Sequence, residues 1–294
     1  MKRVILCGLG AVGLTFGMKL KEKSDLRVLV DENRFNRYTV SKPVFNGVEQ
    51  DFKYILPTDD FDADLIIIST KSNGLDEAIL STKNFVTHKT RIISLINGIS
   101  SEEKIKQAYP QAIVLKSYFI GHSAVRSGNS VTQDGTAKIV AEKDELLKEI
   151  FEQNHIDYEF PDDIDYSMWL KFTLNLFSNQ TSAILKMTFG ELKNNKNFIA
   201  FAKKITAEVR MIAEKKGIKN LENLEKDSLD ALSFMCEDGK TSMLQDILAK
   251  RHTESEIFGE EIVRLGKLYN VPTPYNQVLT DLIKIEEERV CKGN

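Results

Sequence analysis

Arg3-Val4-Ile5-Leu6-Cys7 runs straight into Gly8-Leu9-Gly10-Ala11-Val12-Gly13, and this stretch decides the fold. The apolar run is that of a buried strand, and the six residues after it have the G-x-G-x-x-G spacing of a dinucleotide-binding turn. The glycines have physical reasons. A strand must turn sharply into a helix, and the backbone must come close enough to a pyrophosphate for N–H groups at the helix N-terminus to hold it. The motif alone is weak, and its surroundings strengthen it. A helical stretch, Ala11 to Lys23, follows, then a second strand, Leu26 to Val30, then an acid, Asp31, 18 residues beyond Gly13. The backbone of Gly8, Gly10, Ala11, Val12 and Gly13 is therefore expected to bind a dinucleotide, with Asp31 placed for its ribose.

The same N-terminus admits a second reading. Lys2-Arg3 ahead of the uncharged run Val4 to Met18 has the outline of a signal peptide. Glycines interrupt that run, however, and Lys19, Lys21 and Lys23 stand where a small-residue cleavage pattern belongs. No other window approaches the roughly 18 apolar residues of a membrane span. With 40 Lys+Arg against 43 Asp+Glu and a net charge of −3, the chain has no basic field for nucleic acid or an anionic membrane. Cys7, Cys236 and Cys291 are widely spaced, and His88, His122, His155 and His252 have no ligand spacing, so neither disulfides nor a metal site is expected. A cytoplasmic protein with reduced thiols is the simplest reading.

At 294 residues the chain is long enough for two domains. Residues 1–165 alternate strand and helix patterns, with continuous apolar runs at Leu65–Ile68 and Arg91–Ile96 as expected of a parallel sheet covered on both faces. Asn46-Gly47 between Val44-Phe45 and Val48 predicts a small hairpin. Segments near Ile113–Ile120 and Ala137–Val140 are expected to extend the sheet, while Gly121–Gly135 reads as loop with room for a short hairpin. Residues 166–294 are helical in pattern, with long stretches at Ile199–Lys216, Glu254–Tyr269 and Pro274–Arg289. Capping boxes are predicted at Thr253-Glu254-Ser255-Glu256 and Ser242-Met243-Leu244-Gln245, and Thr273-Pro274 marks another helix start. The fold class is thus α/β: a Rossmann-type dinucleotide-binding domain followed by an all-helical domain for substrate and dimerisation. Such an arrangement implies a cleft at the carboxyl ends of the strands.

The helix expected over Asp165–Leu185 inverts the usual amphipathic pattern. Lys171, Asn175, Ser178, Asn179 and Ser182 fall in a sector about 100° wide on a body that is otherwise apolar. A mostly buried helix must find partners for such a stripe, and a wet cleft or a polar substrate would supply them. The plain alternative is that Lys171 reaches solvent and the asparagines bond nearby backbone groups. Lys71, just after the strand ending near Thr70, and Asn97-Gly98, after Ile96, stand where a Rossmann-like sheet presents residues to a ligand. A solvated lysine and a tight turn are the plain readings there.

Taken together, these motifs resemble the ketopantoate reductases. The likeness rests on Gly8 to Gly13, Ser69-Thr70-Lys71, Asn97-Gly98, W-L-K-F-T-L-N-L-F-S-N from Trp169 to Asn179, and S-M-L-Q-D from Ser242 to Asp246. It continues with Arg251-His252-Thr253-Glu254, Gly259, and Val271-Pro272-Thr273-Pro274-Tyr275-Asn276. The resemblance implies reduction of a 2-oxo acid, 2-dehydropantoate to D-pantoate in pantothenate biosynthesis, by a nicotinamide cofactor. Lys171 would then be the general acid, its charge also stabilising the forming alkoxide. Asn175, Asn179 and Ser242 would hydrogen-bond the substrate. Lys71 and Asn97 would lie beside nicotinamide and substrate, and Glu254 would support the cofactor ribose region.

One position departs from the family. Many members carry an arginine at the end of the second strand for the 2′-phosphate of NADPH, whereas this chain has Asp31-Glu32, with Arg34 and Arg37 close behind. The family suggests NADP; Asp31 argues for NAD. That residue also motivates an alternative, an NAD-dependent D-2-hydroxyacid dehydrogenase of the same fold. A non-catalytic dinucleotide sensor is the reading from another class, and retention of Lys171, Asn175, Asn179 and Ser242 speaks against it. The partners expected are a small 2-oxo acid and, at most, a second copy of the chain, as monomer or homodimer.

Overall fold

A computed structural model describes residues 1–121 and 124–291, which divide into two compact units, Met1–Ile164 and Asp165–Asn294. In the first, β1 (Arg3–Cys7), α1 (Ala11–Lys23), β2 (Asp25–Leu29) and α2 (Glu32–Val40) lead into three two-residue strands, β3 (Val44–Phe45), β4 (Val48–Glu49) and β5 (Tyr54–Ile55). Then come β6 (Leu65–Ile68), α3 (Leu75–Thr82), β7 (Arg91–Ser94), α4 (Ser101–Ala108), β8 (Ile113–Leu115) and β9 (Ser117–Gly121). The unit closes with β10 (Ala124–Ser127), β11 (Ser130–Gln133), β12 (Ala137–Ala141), α5 (Glu145–Gln153) and β13 (Asp157–Glu159).

Six strands form one all-parallel sheet in the order β5-β2-β1-β6-β7-β8. This is the doubly wound order that places a topological switch beside β1, where a crevice opens outside the strand ends. The centre of the sheet is apolar because helices cover both faces: Val4, Ile5, Leu6 and all of Leu65–Ile68 are fully buried. Each such side chain contributes on the order of 1.5–3 kcal/mol by leaving water.

The remaining strands depart from expectation. Only β8 extends the parallel sheet; β9 and β12 pair antiparallel with each other, and with β13 they form a separate three-stranded sheet. The physical reason is that β-type patterning states which residues want a pleated surface and not which neighbour supplies it. The Asn46-Gly47 hairpin is present, both residues at positive φ (49° and 81°) as a tight two-residue loop requires. It belongs to a further four-stranded sheet, in which β3 runs parallel to β11 of the hairpin β10–β11. That hairpin is the short one for which the Gly121–Gly135 stretch has room, and His122 and Ser123 of the stretch are outside the described residues.

The second unit is helical among the described residues: α6 (Ile164–Leu185, which begins at the last residue of the first unit), α7 (Phe189–Lys193), α8 (Lys196–Lys216), α9 (Leu224–Ser233), α10 (Ser242–Leu248), α11 (Gly259–Tyr269) and α12 (Pro274–Cys291). Trp169, Phe172 and Phe258 form a run of ring contacts through its core, 5.9 Å and 6.1 Å between centroids. Gly259 sits where α6, α11 and α12 converge, and a Cβ there would meet Gln180 Oε1 and Thr280 Oγ1 at 2.4 Å. No helix is long and apolar enough to cross a membrane among the described residues.

Two of the predicted caps are placed differently. Thr241, not Ser242, is the N-cap of α10, accepting from Leu244 N at 3.1 Å, and Ser242 is the first helical residue. A threonine hydroxyl one position earlier reaches the third N–H of the helix, which is the geometry a cap needs. Glu254 does not open a long helix either; it precedes a 3₁₀ turn, Ser255–Ile257, and α11 begins only after Phe258, whose backbone (φ −113°, ψ −88°) is not helical. The start of α12 at Pro274 is capped from elsewhere. Buried Glu208 on α8 accepts from Tyr275 N (2.9 Å), Asn276 N (3.1 Å) and Asn276 Nδ2 (2.7 Å).

Candidate active site

In the first unit the candidate residues gather at the strand ends on either side of β1. Gly8 has φ +100°, and a Cβ on Gly13 would lie 1.9 Å from Gly8 O, so only glycine lets α1 press this close to the strand end. Ser69, directly after β6, ties the turn together by donating to both Cys7 O (3.1 Å) and Gly8 O (2.9 Å). Gly10 is the N-cap of α1 with no side-chain cap, and the first turn carries no acid. The positive end of α1 at Ala11 and Val12 is thus left open, as a pyrophosphate site needs. Exposed Lys71 follows β6 at the head of a 3₁₀ turn, and half-buried Asn97 follows β7. Strand order brings the glycine turn, Lys71 and Asn97 to the ends of adjacent strands β1, β6 and β7.

Asp31 caps α2. Its Oδ1 accepts from Arg34 N at 2.7 Å and its Oδ2 pairs with the Arg34 guanidinium at 2.9 Å, while Arg34 also reaches Glu77 at 3.1 Å. The nearest cation after β2 is therefore shared between two carboxylates. Arg37 lies over the Tyr38 ring, 5.0 Å from its centroid.

In the second unit, α6 carries Lys171, Asn175, Ser178, Asn179 and Ser182, and the structure divides that stripe. Ser178 donates to Leu174 O at 2.6 Å and Ser182 to Met187 O at 2.6 Å, so these hydroxyls are spent on backbone. The asparagines differ. Asn175 is half-buried with no hydrogen bond from its amide among the described residues, and buried Asn179 is met only by the Ser178 hydroxyl at 3.5 Å. Their donors remain available to a ligand. Exposed Ser242 begins α10.

Lys171 is half-buried, and its burial lowers its pKa from 10.5 to about 7, while the Glu254 carboxylate acts in the opposite sense. Nothing in the residue pattern signals this pairing across 83 positions. Glu254 is held in place by its neighbours: Glu287 on α12 accepts from Thr253 N at 2.6 Å, and Arg251 pairs with Asp246 at 2.8 Å. The short motifs S-M-L-Q-D and R-H-T-E are thus joined by an ion pair that fixes the loop carrying Glu254. A second group titrating near neutrality lies in the first unit. Glu102, in the first turn of α4, is buried, and burial pushes its carboxyl up to about 7 although the Ser101 hydroxyl donates to it at 3.0 Å.

Arg126, on β10, was not anticipated as a site residue. Its Nη1 stands 4.0 Å from where a Cβ on Gly10 would be, and its Nε donates to Gly128 O at 2.9 Å.

The chain is similar to known proteins over nearly its whole length. Residues 4–144 match the family model "Ketopantoate reductase PanE/ApbA", and residues 163–287 match "Ketopantoate reductase PanE/ApbA C terminal". A 2-dehydropantoate 2-reductase of Pyrococcus horikoshii is 28% identical over 298 residues, covering 97% of each chain; one of Streptococcus pyogenes is 24% identical over 300 residues, also covering 97% of each. Among solved structures, a D-mandelate dehydrogenase in ternary complex with NADH and anilino(oxo)acetate superposes with a TM-score of 0.85 at 23% identity, covering 98% of this chain and 99% of that one. A dimeric ketopantoate reductase from Staphylococcus aureus gives 0.79 at 20% identity, covering 98% and 99%.

Proposed function

The chain belongs to the ketopantoate reductase family, and on that premise we propose that it reduces a 2-oxo acid with NAD(P)H, 2-dehydropantoate to D-pantoate being the reaction. The glycine turn fits such a cofactor, since Gly13 permits the close approach and the start of α1 is uncapped and free of acids. Backbone N–H groups of Gly10, Ala11 and Val12 hold the pyrophosphate, and Asp31 meets the adenosine ribose. Lys71 and Asn97 orient the nicotinamide end. When bound, the nicotinamide supplies hydride to the keto carbon.

Lys171 Nζ gives its proton to the ketone oxygen as that oxygen becomes a hydroxyl, and its charge stabilises the oxygen while the bond forms. A pKa near 7 suits this task, because the group is both sufficiently protonated and sufficiently acidic at neutral pH. Glu254 keeps the lysine from being discharged altogether by burial, and it also meets the ribose region of the cofactor. Asn175 and Asn179 donate to the substrate carboxylate and hydroxyl oxygens, and Ser242 adds a further donor. The observation that carries the reading is the lowered pKa of Lys171 on the same helix face as two asparagines with uncommitted amides. Steady-state reduction of 2-dehydropantoate with NADPH and with NADH tests it. Failure to reduce this or any other branched 2-oxo acid with either cofactor would remove the proposal.

A second reading is favoured by Asp31 and Glu77, which flank Arg34 and would oppose a 2′-phosphate there. On this reading the enzyme is an NADH-dependent D-2-hydroxyacid dehydrogenase. Faster reduction of phenylglyoxylate than of 2-dehydropantoate, with NADH preferred, would select it. For assembly we propose the homodimer over the monomer, supported by exposed Tyr275, Val278, Leu282 and Ile285 along one stripe of α12. The compartment proposed is the cytoplasm, in keeping with three unpaired cysteines.

A further inference from the structure

We infer that Arg126 is a cofactor-binding residue, supplying the cation that meets the dinucleotide pyrophosphate at the Gly10 turn. This rests on the family's use of a nicotinamide dinucleotide and not on the identity of the substrate.

The second glycine of the G-x-G-x-x-G turn is the point where the backbone approaches the pyrophosphate, so the direction of its missing Cβ is the direction from which phosphate comes. At Gly10 that direction leads to the Arg126 guanidinium, with Nη1 and Ser69 O, each at 4.0 Å, the nearest atoms to the missing Cβ. The place is electrostatically wrong for an arginine in the absence of an anion. Helix N-termini carry partial positive charge and favour acids, yet α1 has no acid in its first turn, and no carboxylate pairs with Arg126 among the described residues. A diphosphate between the helix end and the guanidinium would satisfy both at once.

The arginine is also prepared for that role. It projects from the hairpin β10–β11, which is fastened to α1 by the Thr15 hydroxyl donating to Gln133 Oε1. Gly128, at φ +59° in the hairpin turn, offers its carbonyl to Nε, which leaves both Nη groups for a ligand. The sheet partner of this hairpin is β3, so the guanidinium is carried by structure assembled from three separate parts of the chain.

The test is direct binding by calorimetry, with NADH, NADPH and ADP-ribose titrated into the wild type, Arg126→Ala and Arg126→Lys. Loss of a charge-assisted contact to phosphate predicts affinity about tenfold to a hundredfold weaker for Arg126→Ala, with a smaller loss for Arg126→Lys. The loss should be equal for all three ligands, because all contain the pyrophosphate, and should shrink as salt is raised. Equal affinity of the wild type and both variants for ADP-ribose would overturn the inference. So would a loss confined to NADPH, which would assign Arg126 to the 2′-phosphate. If Arg126→Ala fails to fold, Arg126→Gln, which removes the charge but keeps a polar side chain with a donor, takes its place. Failure of the wild type itself to bind ADP-ribose would instead remove the cofactor reading on which the proposal stands.

Discussion

Two helix starts in this molecule have been treated in opposite ways. At α1 the first N–H groups have no side-chain cap and no acid in the first turn. At α12 the corresponding groups are closed by Glu208, a buried carboxylate reached from α8 that takes three hydrogen bonds. Both ends carry the same backbone dipole, so the difference lies in what completes it. A helix end meant for packing is completed by the chain itself, and one meant for a ligand is left for the ligand to complete.

The comparison breaks first if α1 is closed. An acid in its first turn, Ala11→Asp, places a charge at about 4 Å from an incoming phosphate, a repulsion of about 4 kcal/mol near a protein surface, or on the order of a thousandfold in affinity. We expect NADH binding to be lost by calorimetry while the melting temperature holds or rises, since the acid suits the helix end. Unchanged affinity would mean that the turn is not where the pyrophosphate sits. The next largest effect is expected at Lys171. Lys171→Ala should lower turnover by about a hundredfold or more with NADH affinity retained, and an unaffected kcat would disprove its role as acid.

Opening α12 should cost stability instead of binding. Glu208→Ala strands two N–H groups and a buried amide, a loss of about 3 kcal/mol measured by urea denaturation, and Glu208→Gln should lose less. A change under about 0.5 kcal/mol would show that the cap contributes little. The most gradual effects are those of pH. Lys171 has a folded pKa of about 7, below its ordinary 10.5, so the folded state binds fewer protons between those values and stability should rise with pH across that window. Glu102 is displaced upward from 4.5 to about 7, so its contribution should fall as pH rises across that lower window. Reduction should decline above pH 7 as Lys171 loses its proton. That limb should survive Glu102→Gln, and its disappearance in that variant would assign the titration to Glu102.

What was legible in the chain was what is encoded locally. The strand, glycine turn and helix from Arg3 to Lys23 are neighbours in sequence and in space, and Asn46-Gly47 specifies its own turn. The inverted pattern of α6 was readable because a helix brings Lys171 and Asn175 to one side by itself. The pairings that escaped join residues over long separations. Nothing near Lys171 names Glu254, and nothing near Gly10 names Arg126; both pairs exist only once remote segments have folded. The short polar strand β13 and the pairing of β3 with β11 escaped for the same reason. Helix boundaries after Lys250 were misjudged because Glu254 and Glu256 imitate a first turn, whereas Glu254 is used as a charge beside Lys171.

The 1.9 Å between a would-be Gly13 Cβ and Gly8 O also bears on how this enzyme can change. A methyl group there collides with backbone that Ser69 already ties to β1, so not even alanine offers a mutational path through the turn. Asp31 and Arg34, by contrast, are half-exposed, so replacing them costs only the α2 cap and a surface ion pair. Adaptation to a different nicotinamide cofactor is therefore channelled to the start of α2, where substitutions are tolerated, while the pyrophosphate turn stays as it is.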